Sequence, residues 1–180
     1  MSLDVVTINC KNQTYGDKLK IVERGVRYLP YRFFDSIENK GNIETNYYTE
    51  IQLRGKTYSA ILFDKVMNTL GKIREKDLLL GVAVDPVISI YYFFDGRTFK
   101  KVPYLIRDYV GKDVGLVSIF SLEEYVASLV VTHGLGHHGG LKHHLTPKDV
   151  MHENLLQIIE ELDSLFCQGC KDKLKKNKNV

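Results

Sequence analysis

The most constraining feature of this 180-residue chain is its set of six histidines, all of which lie in the segment 133–152. Three of them, His133, His137 and His143, follow one another at intervals of four and six residues. Side chains four residues apart on a helix lie on one face, where they can bind the same cation. The helix must end before His143 can approach, and Gly139-Gly140 supplies the break because glycine adopts left-handed conformations cheaply. The spacing therefore predicts a metal site with three imidazole ligands and an open fourth position, which is typical of catalytic Zn²⁺.

Glycine within the same segment argues against a stable isolated helix. Gly134 and Gly136 each destabilise a helix interior by about 1 kcal/mol relative to alanine. A bound metal ion could offset that destabilisation. The alternative is a loop rich in glycine and histidine that binds metals loosely or not at all. The amphipathic helical pattern of residues 123–138 favours the metal site.

The same residues carry a resemblance to a known group of enzymes. The metzincin motif H-E-x-x-H-x-x-G-x-x-H is matched at every fixed position except the second by His133, His137, Gly140 and His143. Gly134 stands where that motif has its general-base glutamate. The segment resembles the metzincin zinc metallopeptidases, and the resemblance implies that the three histidines hold Zn²⁺. It also implies that Met151 lies in a turn beneath the metal.

The chain further along is similar to the archaemetzincins. In that family the third histidine is followed by a cysteine, four residues, a second cysteine, one residue and the methionine, and later by a C-x-x-C pair. Those four cysteines hold a second, structural zinc ion. The spacing to Met151 is kept here, but the first two cysteines are replaced. Carried over by position, the ligands of a second zinc ion are His144, Asp149, Cys167 and Cys170.

All four of these side chains can bind zinc, although a carboxylate in place of a thiolate weakens the preference for a soft metal. The alternative is that Cys167 and Cys170 are free thiols at a helix end, or an oxidisable pair. The family resemblance extends with lower specificity upstream to about residue 45. It implies a compact α/β fold with a mixed twisted sheet, an active-site helix and two zinc ions.

Hydrophobic periodicity predicts an α/β (α+β) chain in one domain, 1–180. Predicted strands cover 5–8, 42–53, 78–84, 87–94 and 114–120. Predicted helices cover 16–26, 58–70, 123–138 and 151–166, the last being the C-terminal helix. The five lysines among the last ten residues predict a basic, solvated and frayed tail at 171–180.

The missing glutamate decides how the activity is interpreted. In proteases with this motif the glutamate takes a proton from the attacking water and passes it to the leaving amine. General acid–base catalysis of this kind is worth roughly 10²–10⁴-fold. Gly134 has no side chain that could perform the transfer. The side chains close enough in the sequence to be candidates for a relocated base are Glu153, His138, His144 and His152.

Three hypotheses follow from this conflict between ligands and base. The first is a zinc-binding metallopeptidase homologue, or pseudoenzyme, with absent or weak peptidase activity that binds a peptide or protein. The second is an active zinc-dependent peptidase or other hydrolase with a relocated general base. The third is a structural or metal-handling protein whose histidines simply hold Zn²⁺.

Composition sets further bounds on location and partners. A hydrophobic content of 44% suffices for one core, and a net charge of +3 is too small to indicate nucleic-acid binding. No apolar stretch is long enough to cross a membrane, and the first residues lack the pattern of a signal peptide. We therefore expect a cytoplasmic protein with no membrane partner. The sequence indicates no oligomeric state.

Overall fold

The elements of the fold are given by a computed structural model that describes residues 1–9, 15–75 and 77–178. A lone cysteine such as Cys10 is typically a small buried side chain, but Cys10 lies outside these residues. In chain order the elements are β1 (Ser2–Ile8), α1 (Tyr15–Arg27), β2 (Ser36–Ile43), β3 (Tyr48–Leu53), β4 (Lys56–Leu62), α2 (Phe63–Ile73), β5 (Leu78–Ala83), β6 (Val87–Phe94), β7 (Phe99–Ile106), β8 (Asp108–Val110), β9 (Val114–Ser118), α3 (Glu124–His138), α4 (Leu155–Ile158), a 3₁₀ turn (Ile159–Glu161) and α5 (Gln168–Lys178).

The first sheet has the strand order β2-β1-β5-β9-β8. Its first four strands are parallel, and β8 pairs with β9 in the antiparallel direction at the edge. Every residue of β5 is buried, as is typical of a central parallel strand with both faces covered. Leu80 and Val82 join a core cluster with residues of α1 and α3, whereas Leu79 and Ala83 join a second cluster with residues of α2. Helices therefore cover both faces of this sheet.

The second sheet has the order β3-β4-β6-β7 and consists of two hairpins. The turn between β3 and β4 is Arg54-Gly55, with φ angles of 49° and 75°. Two consecutive positive φ angles are characteristic of the type I′ turn, whose twist suits a two-residue hairpin. A short parallel pairing of Ile61 with Val87 and of Leu62 with Ile88 joins the hairpins.

Helix α3 is fixed to the rest of the core by close packing against α1. A Cβ at Gly25 would lie 2.7 Å from a methyl carbon of Val131, so the two helix backbones approach closely. The hydroxyl of Thr132 donates a hydrogen bond to the carbonyl of Gly25 at 3.0 Å. These contacts fix the position of the helix turn that carries His133.

The fold class predicted from the sequence is confirmed, with two mixed sheets where the resemblance implies one. The segment 42–53, predicted as one strand, contains the end of β2 and all of β3, which lie in different sheets. The segment 58–70, predicted as a helix, becomes helical only at Phe63, because residues 56–62 pair with β3 across the hairpin. The sequence patterns do not predict β7 or β8.

The predicted helix over 151–166 is wrong except for α4 and the short 3₁₀ turn after it. The backbone N–H of Val150 donates to the carbonyl of Leu165 at 3.1 Å, and that of Asp163 donates to Lys148 at 2.9 Å. These hydrogen bonds fold the segment back on itself, which a continuous helix would prevent.

The C-terminal helix is α5, at residues 168–178, so the predicted frayed tail at 171–180 is wrong as far as residue 178. Leu174 is fully buried, and the Asn177 side-chain amide donates to the carbonyl of Gly139 at 2.8 Å. The lysines of this segment lie on a helix that packs against the end of α3. None of the described helices is long and apolar enough to cross a membrane.

Candidate metal centre

The end of α3 reverses the chain so that a third histidine returns to the helix. Gly140 has a φ angle of +82°, a conformation that side chains with a Cβ rarely adopt. The backbone N–H of Leu141 then donates to the carbonyl of Gly136 at 3.0 Å, which closes the reversal. His143 follows two residues later and faces the last turn of the helix.

The three histidines predicted from the sequence meet through their Nε2 atoms. The Nε2 separations are 3.1 Å for His133 and His137, 2.9 Å for His133 and His143, and 2.9 Å for His137 and His143. Zn²⁺ binds imidazole nitrogen at roughly 2.0–2.1 Å, so one ion can reach all three nitrogens. No other histidine, cysteine or carboxylate among the described residues joins the cluster within 4.8 Å. The chain thus offers three ligands and leaves further positions open.

Backbone carbonyls set the tautomer of two of these rings. His133 Nδ1 donates to the carbonyl of Val150 at 2.6 Å, and His137 Nδ1 donates to the carbonyl of Leu141 at 3.0 Å. A carbonyl oxygen can only accept, so Nδ1 carries the proton in each ring. The Nε2 lone pairs are left directed at the common point, which is the arrangement of metal-binding histidines.

Burial and neighbouring charges favour the neutral form of two of the three rings, His133 and His143. Burial lowers the pKa of His133 to about 4, although the hydrogen bond to the Val150 carbonyl acts in the opposite direction. Burial also lowers the pKa of His143, and the neighbouring imidazoles of His133 and His137 add to that shift. Neutral imidazole is the form that binds a cation, so the residues present fit Zn²⁺.

Met151 is fully buried beneath the helix turn that carries the first two histidines. A Cβ at Gly136 would overlap its Sδ atom and would lie 3.5 Å from Leu141 Cδ1. Gly136 therefore weakens the isolated helix but provides the space that Met151 occupies.

The space beside Gly134 is filled by β8. A Cβ at position 134 would lie 2.7 Å from Val110 Cγ2 and 3.4 Å from Asp108 Oδ2. A larger residue fits there only if Val110 moves. The helix thus lacks the motif's glutamate, and a neighbouring strand places a carboxylate close to the same position.

The three histidines open into a cleft of about 560 Å³. Residues 107–110 and residues 153–157 line this cleft together with the histidines. Burial raises the pKa of the Asp108 carboxyl to about 6, and the imidazoles of His137 and His143 partly oppose that shift.

Two of the histidines named as candidate bases lie away from the cleft. His138 Nδ1 donates to the carbonyl of Gly111 at 2.9 Å, and its ring stacks on Phe34 with centroids 6.0 Å apart. His152 is buried, and its Nδ1 accepts the backbone N–H of Asn154 at 3.0 Å. Both side chains have structural partners outside the three-histidine cluster.

Of the other candidate bases, His144 belongs to a second cluster, and Glu153 lies exposed at the rim of the cleft. Sequence reasoning missed Asp108, which is far from the motif along the chain. The sequence does show a charged pair, Arg107-Asp108, shortly before the apolar segment 114–120. This pair indicates a residue near the histidines only when the pairing of β8 with β9 is known.

The second predicted ligand set also comes together. Ligand atoms of the four side chains lie within 4.8 Å of one another, and Asp149 is fully buried. His144 Nε2 lies 3.1 Å from Asp149 Oδ1 and 3.5 Å from Cys170 Sγ. Burial raises the pKa of the Cys170 thiol to about 12, with Cys167 and Asp149 adding to the shift. Zn²⁺ would favour the thiolate and would counter the charge of the buried carboxylate, so this donor set fits it.

Asp149 also connects this cluster to the turn below the helix. Its Oδ1 accepts the backbone N–H of Met151 at 2.7 Å, and its Oδ2 accepts that of Cys167 at 2.7 Å. The Asp149 carboxylate thus has a structural role of its own. It holds the buried methionine and the cysteine pair in one arrangement.

Two of the solved structures with the same architecture are an archaemetzincin and a zinc-dependent peptidase. An archaemetzincin from Methanopyrus kandleri superposes with a TM-score of 0.65 at 19% identity, covering 100% of this chain and 96% of that one. A zinc-dependent peptidase from Methanocorpusculum labreanum superposes with a TM-score of 0.58 at 15% identity, covering 95% of this chain and 99% of that one. No protein-family model and no curated protein matches the sequence. The chain therefore has the fold of the archaemetzincins.

Proposed function

We propose that this protein is a zinc-binding metallopeptidase homologue with weak peptidase activity, whose zinc ion is held by His133, His137 and His143. The observation that carries the proposal is the cluster of three Nε2 atoms no more than 3.1 Å apart on the wall of a cleft. When bound, Zn²⁺ polarises a carbonyl group and lowers the pKa of a water molecule. The zinc-dependent peptidase with the same fold supports this choice of metal and reaction.

The cleft suits an extended peptide as its ligand. β8 lies at the edge of the first sheet and pairs only with β9 among the described strands. Extended peptides bind such edges by adding a strand, with main-chain hydrogen bonds supplying affinity. Residues 107–110 line the same cleft as the three histidines, so we expect an added strand to lie close to the open position of the metal.

Weak activity is proposed because the helix offers no proton-transfer group. The loss of general acid–base catalysis lowers a rate by roughly 10²–10⁴-fold. Binding without turnover remains the function if no other side chain moves the proton. The third hypothesis, a closed structural site, has less support, because His144 lies in the second cluster and supplies no fourth ligand to the first.

We further propose that His144, Asp149, Cys167 and Cys170 hold a structural Zn²⁺. Their ligand atoms lie within 4.8 Å of one another, and the Asp149 carboxylate is buried among them. Unpaired thiols at Cys167 and Cys170 suit the reducing cytoplasm, which is the proposed location.

Metal content tests the first site directly. We expect His133→Ala to lose one zinc ion per chain relative to the native protein, measured by mass spectrometry of the metal in protein purified with zinc present. His138→Ala is the matched control, because His138 is the next residue after a ligand but bonds to Gly111 outside the cluster. Full zinc content in His133→Ala would contradict the assignment.

Peptidase activity tests the reaction. We expect the zinc-loaded native protein to cleave a mixed peptide library slowly, and we expect a chelator to abolish the cleavage. Cleavage that survives the chelator would contradict a zinc-dependent mechanism. Complete inactivity with full zinc content would leave peptide binding as the function of the site.

A further inference from the structure

We propose that the Asp108 carboxylate performs the proton transfer that a glutamate at position 134 would perform. The inference rests on the proposed function, since it assigns a proton-transfer group to that same zinc site. It makes Asp108 a catalytic residue supplied by strand β8 in place of a residue supplied by helix α3.

Asp108 lies beside the space that a side chain at position 134 would enter. Asp108 Oδ2 lies 3.4 Å from the point that a Cβ of residue 134 would occupy. That separation is comparable to the distance between the Cβ and the carboxylate oxygens within a single glutamate side chain. Asp108 also lines the cleft into which His133, His137 and His143 open. A carboxylate oxygen is therefore present near the place where the motif's glutamate would put one.

The Asp108 carboxylate is available to accept a proton. Among the described residues, no hydrogen bond or ion pair holds the Asp108 carboxylate, and apart from burial its pKa is affected only by the imidazoles of His137 and His143. Its oxygens do not join the metal-binding cluster within 4.8 Å. The carboxylate therefore faces the ligands without being one of them, as a proton acceptor beside a metal site must.

Glu153, His138 and His152, which are other candidate bases, are less well placed than Asp108. Glu153 lines the same cleft but is exposed at its rim, where its carboxylate accepts the Asn154 side-chain amide at 3.4 Å. Two further candidates, His138 and His152, have structural partners elsewhere. Asp108 is partly buried, and a proton-transfer group benefits from a site that excludes water.

The reaction is balanced without any other reactant. As the oxygen of water bonds to the carbonyl carbon of the scissile peptide, an Asp108 oxygen accepts one of its protons. As the C–N bond then breaks, the protonated Asp108 donates that proton to the departing nitrogen. One water is consumed, and one carboxylic acid and one amine are formed.

The test uses a ligand that carries a proton into the site. Acetohydroxamic acid binds Zn²⁺ as its anion, so its acidic proton must be taken up by the protein or released to the buffer. Calorimetric titration of the zinc-loaded protein at pH 6.5, below the pKa of about 7 that is typical of zinc-bound water, in two buffers of different ionisation enthalpy, counts the protons released. We expect the native protein to retain the proton on Asp108, whereas Asp108→Asn releases about one proton per ligand bound.

Two further variants sharpen the result. Asp108→Glu keeps a carboxylate and should retain the proton, whereas Glu153→Gln removes the competing carboxylate and should behave like the native protein. The rate of peptide cleavage by Asp108→Asn should fall by roughly tenfold or more. Metal content is measured for every variant, because each must hold the same amount of zinc as the native protein.

The outcomes separate the two proposals. Equal proton release by the native protein and Asp108→Asn, with zinc bound in both, would overturn the role of Asp108 alone. Loss of zinc from Asp108→Asn would make Asp108 a ligand or a structural residue and would overturn it as well. Absence of zinc from the native protein would instead overturn the proposed function.

Discussion

The buried Asp108 carboxyl makes the stability of the folded protein depend on pH. Its pKa in the folded protein is about 6, above its ordinary value of 3.8, because burial penalises the charged form. The folded state therefore binds this proton more tightly than the unfolded state. The resulting stability is fully present below about pH 4 and is lost as the pH rises through 6.

This shift makes a prediction for Asp108→Asn in the metal-free protein. We expect the variant to have a higher free energy of unfolding than the native protein at pH 8, by at most about 3 kcal/mol, and a nearly equal one at pH 4. Urea unfolding of chelator-treated protein at the two pH values measures the difference. A variant that is equally destabilised at both would contradict the account.

Gly136 leaves the space that the buried side chain of Met151 occupies. We expect Gly136→Ala to lower the free energy of unfolding by about 1–3 kcal/mol, since the new Cβ would overlap the buried sulfur of Met151. The matched control is Gly71→Ala on helix α2, where a Cβ meets nothing within 4 Å. Alanine there should raise stability by up to about 1 kcal/mol. Equal effects of the two substitutions, measured by urea unfolding, would contradict the packing argument.

Strand β8 packs directly against helix α3, so a larger side chain at Gly134 in the helix would contact Val110 and Asp108 in the strand. The sequence alone makes Gly134→Glu the obvious way to restore the glutamate of the motif. We expect Gly134→Glu to have weak peptidase activity or to be destabilised. The new Cβ would lie 2.7 Å from Val110 Cγ2, and the new carboxylate would be repelled by the carboxylate of Asp108.

Relief of that contact should rescue the variant. We expect Gly134→Glu combined with Val110→Ala to cleave peptides faster than Gly134→Glu alone, with Val110→Ala alone as the control. The rate of peptide-library cleavage and the metal content of each variant provide the measurement. A Gly134→Glu variant that is stable and fully active by itself would show that β8 does not occupy the space of the missing side chain.

Helix α5 shows why a charged C-terminal segment need not be a frayed tail. Its lysines predict a solvated segment, but Leu174 inserts beside Gly139, and Asn177 bonds to the carbonyl at the end of α3. Cys167 and Cys170 stand at the start of this helix, next to the second cluster. The segment that the sequence predicts as a tail thus packs over the end of helix α3.

For the molecule as a whole, the sequence predicts those features that depend on local spacing. Helix α3, the return of His143 after two glycines and the buried strand β5 all follow from residue patterns within a few turns of the chain. The short strand β8 and the break between β2 and β3 depend on pairing between distant segments. Local patterns do not depend on such pairing. For this reason the sequence does not predict that Asp108 lies near the three histidines.

We propose that three histidines hold Zn²⁺ and that the ion keeps an open position facing the cleft. A crystal structure of the zinc-loaded protein, with anomalous diffraction collected on both sides of the zinc absorption edge, tests it most directly. The account predicts an ion roughly 2.0–2.1 Å from the Nε2 atoms of His133, His137 and His143, with no fourth protein ligand. An anomalous peak absent from these nitrogens, or an ion that Asp108 or His144 also ligates, would contradict it.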